Sequence, residues 1–134
     1  MQKHILLIDD DGDELDILRN ALERAGIKSV CAWVPDAEQA IQVLQDTIPD
    51  FIFLDLNMPK INGLTCLKEI RKMKRLINIP IILYSTSINE ETRKKASETG
   101  ASWCIQKKMT VTDLAEDLSN ILTDHGVVSP SRVQ

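Results

Sequence analysis

Apolar and polar positions alternate along this chain in blocks. Four short apolar runs stand out: ILLI (5–8), FIFL (51–54), IILY (81–84) and WCI (103–105). A weaker fifth, VCAWV (30–34), is built from the same residue types. Continuous apolar runs of this length, rather than strict alternation, are the pattern of strands buried on both faces. Each run is followed by a stretch with helical spacing. The regular alternation predicts five parallel βα units, with right-handed crossovers that put helices on both faces of one sheet.

The helices are placed by their faces and their ends. Leu15, Leu18, Leu22 and Ala25 keep a helical period between Asp13 and Ala25, and Gly26 follows as a stop. PDAEQAIQVL opens a second helix, with Asp36 as cap and Gln39 three residues on. Asn62-Gly63 precedes a third, carrying Leu64, Leu67 and Ile70. SINE reads as a capping box of Ser87 with Glu90, opening a fourth helix that Gly100 ends. The last helix carries Leu114, Leu118, Ile121 and Leu122 on one face, with Gly126 as its stop. Beyond it, VVSPSRVQ has neither period nor enough apolar surface to pack. The expected division is a single domain over 1–126 and a loose tail over 127–134.

The polar residues at the strand ends change the picture from architecture to chemistry. FIFL runs into Asp55, and ILLI runs into Asp9, Asp10 and Asp11. IILY ends in Ser85-Thr86, and WCI runs through Gln106 into Lys107. In a parallel sheet these carboxyl ends share one edge, where open α/β sheets bind ligands. With the first and third strands as neighbours, Asp9, Asp10 and Asp55 crowd together. Like charges that close resist full ionisation unless a cation joins them. Lys107 supplies one positive charge. The remaining donors are all oxygens, a set suited to a hard divalent ion such as Mg2+. A backbone carbonyl near Asn57, in the NMP turn before Gly63, is placed to complete the shell. Asp11 and Asp13 read as caps or turn formers instead.

Composition narrows the classes. The 134 residues suffice for one cored domain, and no window approaches the length of a membrane span. MQKH runs straight into ILLI, too short for a secretory signal. Cys31, Cys66 and Cys104 have no metal-like spacing and sit among apolar neighbours, as buried thiols of a reducing, cytoplasmic compartment would. A formal net charge of −4 disfavours nucleic acid as the main partner. The basic run KEIRKMKR (68–75) reads as a solvated helix face.

ILLIDDD, FIFLDLNMPKINGL, IPIILYSTS and GASWCIQKK, taken in order, resemble the receiver domain of two-component response regulators from Lys3 to about Thr123. The resemblance implies a flavodoxin-like (βα)5 sandwich with strand order 2-1-3-4-5. It implies that Asp55 accepts a phosphoryl group from a histidine kinase or phosphotransfer protein. Asp9, Asp10, Asp55 and the Asn57 carbonyl would hold Mg2+. Ser85 would hydrogen-bond the phosphoryl group and Lys107 would pair with it. A change of conformation would then signal to a downstream protein partner, without turnover of a substrate as in an ordinary enzyme. A homodimer through the fourth helix, fifth strand and fifth helix is a further expectation, with basic Arg93, Lys94 and Lys95 pairing across a two-fold axis with acidic Asp113, Glu116 and Asp117.

Two positions depart from the family pattern. Cys104 stands where an aromatic switch residue is usual, and Lys108 follows Lys107 where proline is usual. A cis bond before a non-proline costs ~2.5–4 kcal/mol, so a trans connection is expected. A haloacid-dehalogenase-like phosphatase would need an acid at Asn57 and a cap domain. A dinucleotide fold would need G-x-G-x-x-G after the first strand, and a flavin site a hydroxyl-rich loop there. A phosphorylation-independent pseudo-receiver stands as the alternative function. No effector domain fits in 134 residues, so the expectation is a stand-alone receiver or part of a longer protein.

Overall fold

A computed structural model describes residues 2–107 and 110–122. Five strands, β1 (Lys3–Ile8), β2 (Ser29–Val34), β3 (Phe51–Leu54), β4 (Ile81–Ser85) and β5 (Trp103–Gln106), alternate with five helices. These are α1 (Asp13–Arg24), α2 (Ala37–Asp46), α3 (Gly63–Arg71), α4 (Glu90–Thr99) and α5 (Val111–Leu122). The strands form one parallel sheet in the order 2-1-3-4-5, a flavodoxin-like sandwich as expected. No helix among the described residues is long and apolar enough to cross a membrane.

The two-residue period of a strand divides each apolar run between two cores. Leu6, Ile8, Ile52, Leu54, Ile81, Leu83 and Cys104 face α2, α3 and α4. Ile5, Leu7, Phe51, Phe53, Ile82, Tyr84 and Ile105 face α1 and α5. Every residue of β3 and β4 is buried, which is why those runs show no polar alternation.

Helix ends follow local chemistry with one exception. Asp36 accepts the Gln39 N–H at 2.8 Å, and Asn62 accepts that of Thr65 at 3.0 Å. Gly26 (φ 74) ends the α1 turn, and Gly100 (φ 117) ends α4 in the left-handed region that glycine enters without a Cβ penalty. The expected Ser87–Glu90 capping box is not formed. Asn89 is the extended residue at the start of α4, and its side chain accepts the Thr92 N–H at 2.8 Å. Asn89 and Ser87 are caps of equal quality, and two residues of register separate the alternatives. Gly126, the 127–134 tail and the Lys107–Lys108 bond lie outside the described residues.

The basic run is also not simply a solvated face. Arg71 turns inward, donating to the Gly100 carbonyl at 2.9 and 3.0 Å and to that of Leu76 at 2.8 Å. This closes the C-terminus of α4 onto α3. Arg75 donates to the Leu44 and Gln45 carbonyls at the end of α2. Both satisfy carbonyls that helix ends leave open. Cys66 and Cys104 are buried thiols, whereas Cys31 is half-buried. Burial pushes the Cys66 thiol up to about 12.

Candidate functional site

β1 and β3 pair with Ile8 opposite Leu54, so the next residue of each, Asp9 and Asp55, emerges side by side. Each acid is anchored by its own backbone: the Asp9 N–H bonds the Val34 carbonyl at 3.1 Å and the Asp55 N–H that of Ile8 at 2.8 Å. Asp9 is fully buried and Asp55 is 4% exposed, while Asp10 faces solvent. One carboxylate oxygen from each of Asp9, Asp10 and Asp55 lies within 4.8 Å of the others. This all-oxygen cluster, dry on one side and open on the other, is an acidic site fit for a divalent cation.

Lys107 enters from the end of β5, its backbone N–H bonded to the Ser85 carbonyl at 2.8 Å. Its Nζ lies 2.5 Å from Asp9 Oδ2 and 3.6 Å from Asp55 Oδ1, with the side chain only 7% exposed. Ser85 is fully buried at the end of β4. The Asn57 side-chain amide donates to its hydroxyl at 3.3 Å, and the Asn57 backbone N–H donates to Asp55 Oδ1 at 3.3 Å. Six residues named from sequence therefore meet at one edge: Asp9, Asp10, Asp55, Asn57, Ser85 and Lys107. Cys104 does not join them. It is buried two residues earlier in β5, opposite Leu83, against α4; burial pushes its thiol up to about 11.

The charges are strained in the way their crowding demands. Burial, and then the negative charge of Asp9, push Asp55 up to about 6 against the pull of Lys107. Burial also raises Asp9, opposed by its hydrogen bond to Lys107. Burial alone would lower Lys107, but the hydrogen bond and charge of Asp9, with Asp55 and Glu14 behind them, hold it above the ordinary lysine range. A carboxylate pair that one ammonium only partly neutralises favours a second cation or a shared proton.

Four more residues shape this edge without having been marked as site residues by the sequence. Glu14, the second residue of α1, places Oε2 3.8 Å from Lys107 Nζ. Tyr84 donates its hydroxyl to Glu14 Oε1 at 3.2 Å. Strand parity offered a signal for Tyr84: Asp9, Asp55, Tyr84 and Lys107 continue the α1–α5 face of their strands, whereas Ser85 continues the other. Trp33 donates its indole N–H to the Asp9 carbonyl at 2.8 Å, and its ring lies 3.5 Å from where a Gly12 Cβ would stand. Gly63 lies beneath the Asp55–Leu56 backbone. A Cβ there would sit 2.3 Å from the Asp55 carbonyl oxygen and 2.6 Å from Leu56 Cα. Asp11 accepts the Asp13 N–H at 3.0 Å, the turn-forming use expected of it, while Asp13 opens α1 without capping it.

Residues 5–119 match the response regulator receiver domain family. The alkaline phosphatase synthesis transcriptional regulatory protein PhoP of Bacillus subtilis is 28% identical over 131 residues, covering 98% of this chain but 53% of that regulator. The chain thus spans about half the length of such curated relatives. The phosphorylated cyanobacterial phytochrome response regulator RcpA superposes with a TM-score of 0.78 at 28% identity, covering 90% of this chain and 91% of that one. The Mn2+-bound form of response regulator Rcp1 gives 0.78 at 27% identity, covering 96% and 99%.

Proposed function

The chain belongs to the response regulator receiver family of two-component signalling proteins, and from that premise we propose that Asp55 is its phosphoacceptor. The observation that carries this reading is the meeting of three carboxylate oxygens within 4.8 Å beside a buried lysine. A carboxylate oxygen of Asp55 attacks the phosphorus of a phosphohistidine on a histidine kinase or phosphotransfer protein. The P–N bond breaks, its electron pair leaves with the imidazole, and an acyl phosphate forms on Asp55. Lys107 neutralises charge on the transferred group, and Ser85 donates its hydroxyl to a phosphoryl oxygen. Asp9, Asp10, Asp55 and the Asn57 carbonyl would hold Mg2+, which when bound would offset the negative charge of the acids. The Mn2+ and the phosphorylation named for the two solved relatives support the same assignment.

The phosphorylated site draws Ser85 toward the new oxygens and changes how α4 and β5 pack. Cys104 is too short to act as a rotating aromatic would, so the signal leaves through this backbone and helix. The α4–β5–α5 face is the surface for a downstream protein or a second copy. In a second copy, Arg93, Lys94 and Lys95 of one protomer would meet Asp113, Glu116 and Asp117 of the other across a two-fold axis, although Lys95 already pairs with Glu91 at 3.2 Å. The protein acts in the cytoplasm as a signalling switch. Incubation with labelled acetyl phosphate and Mg2+ tests the central assignment: the unaltered protein takes up label and Asp55→Asn takes up none. Stable label on the Asn variant would refute it.

A further inference from the structure

Asp9 and Asp55 do not hold Lys107 alone. Glu14 also stands beside the ammonium, its side chain 14% exposed and its Oε2 3.8 Å from Nζ. The other carboxylate oxygen accepts the Tyr84 hydroxyl at 3.2 Å. Tyr84 is 1% exposed, and its ring meets Phe53 edge-to-face at 6.1 Å, so the phenol is packed in place. The same ring lies under the ammonium, 5.2 Å from Nζ to its centroid. Phosphoryl transfer to Asp55 requires Lys107 but gives no reason for a third acid braced by a buried tyrosine. The separation is informative as well. At 3.8 Å the carboxylate attracts the ammonium yet stops short of a charge-assisted hydrogen bond, which closes to about 2.7–2.9 Å.

Resting on the receiver reading of the same site, we propose that Glu14 is a positioning residue for Lys107, with Tyr84 as the tether that keeps this carboxylate from capturing the ammonium. An incoming phosphoryl group and Glu14 compete for one cation. With the tether in place Lys107 is shared, and it can turn to the phosphoryl oxygens. Without the tether the carboxylate closes the gap and withdraws Lys107 from the Asp55 side. Without the carboxylate Lys107 belongs wholly to the phosphoryl group.

Two nearly isosteric substitutions, measured as the KM for acetyl phosphate in Asp55 phosphorylation at saturating Mg2+, separate this role from its rivals. Glu14→Gln lowers KM roughly fivefold, the size expected of a partly exposed ion pair. Tyr84→Phe, which keeps the ring on Phe53 and removes one oxygen, raises KM by roughly threefold on the same scale. The double variant behaves as Glu14→Gln alone, because Tyr84 acts only through Glu14. A silent Tyr84→Phe would mean that Glu14 acts only as bulk charge, and shifts of both variants in one direction would mean general damage to the site. Unchanged KM in Glu14→Gln would leave Glu14 as a helix-dipole residue. Each of these results overturns the proposal while leaving the receiver reading intact. An unaltered protein that takes no phosphoryl group on Asp55 would instead overturn both.

Discussion

The carboxyl ends of β1 and β3 and the face of α4 and β5 belong to one sheet but are held by opposite means. At the first, the buried acids have no slack. Backbone bonds to Val34 and Ile8 fix Asp9 and Asp55, Trp33 holds the Asp9 carbonyl, and Gly63 packs directly under Asp55. At the second, α4 buries Ala96 alone among its own residues, whereas α5 buries five. Arg93 Nη1 and Trp103 Nε1 are buried there without a hydrogen-bond partner among the described residues. The contrast separates two demands. Charge chemistry needs groups held in one place, while a switch needs a region whose alternative packing is cheap.

The largest expected effect comes from breaking the rigid side. Gly63→Ala forces a Cβ into the Asp55–Leu56 backbone and should cost ~3 kcal/mol in a denaturant melt, with loss of Asp55 phosphorylation. A melt indistinguishable from the unaltered protein would mean that the loop yields and the site is not rigid. A second test uses the acids themselves. With its folded-state pKa raised from 3.8 to about 6, Asp55 contributes stability that is fully present below pH 3.8 and lost as the pH climbs through 6. Without divalent metal, this contribution should therefore fall by ~3 kcal/mol from the most acid of these conditions to pH 7. Asp55→Asn removes most of that slope, and Mg2+ at pH 7 restores the lost stability. Equal slopes with and without the Asp55 carboxyl would place the strain elsewhere. The smallest effect belongs to the loose side: Asn89→Ala removes the α4 cap and should cost ~1 kcal/mol. Amide exchange should quicken in α4 alone, leaving phosphorylation of Asp55 unchanged. Faster exchange reaching β3 would show that the two regions open as one.

Different parts of this architecture were legible to different degrees. The sheet could be read because doubly buried parallel strands leave unbroken apolar runs, and α2 announced its cap in Asp36. The start of α4 was misread because its surface is nearly all polar. With little apolar period to set the register, Ser87 and Asn89 offered equally good caps. Arg71 and Arg75 read as solvated because the carbonyls they bind, Gly100 and Leu44, lie 29 and 31 residues away. Gly63 read only as preceding the third helix, and its close approach to Asp55 exists only once β3 and α3 are packed.

Local patterns of polarity determined that five strands would alternate with five helices and that acids, a serine and a lysine would stand at the strand ends. Periodicity and capping act over a few residues, so one sequence suffices to reveal them. Which groups those ends would meet was decided in three dimensions. The bond from Tyr84 to Glu14 joins residues 70 apart, and that from Lys107 to Asp9 residues 98 apart. A charge responds to distance through space, and that distance exists only after strand order and parity have turned each side chain toward one face of the sheet.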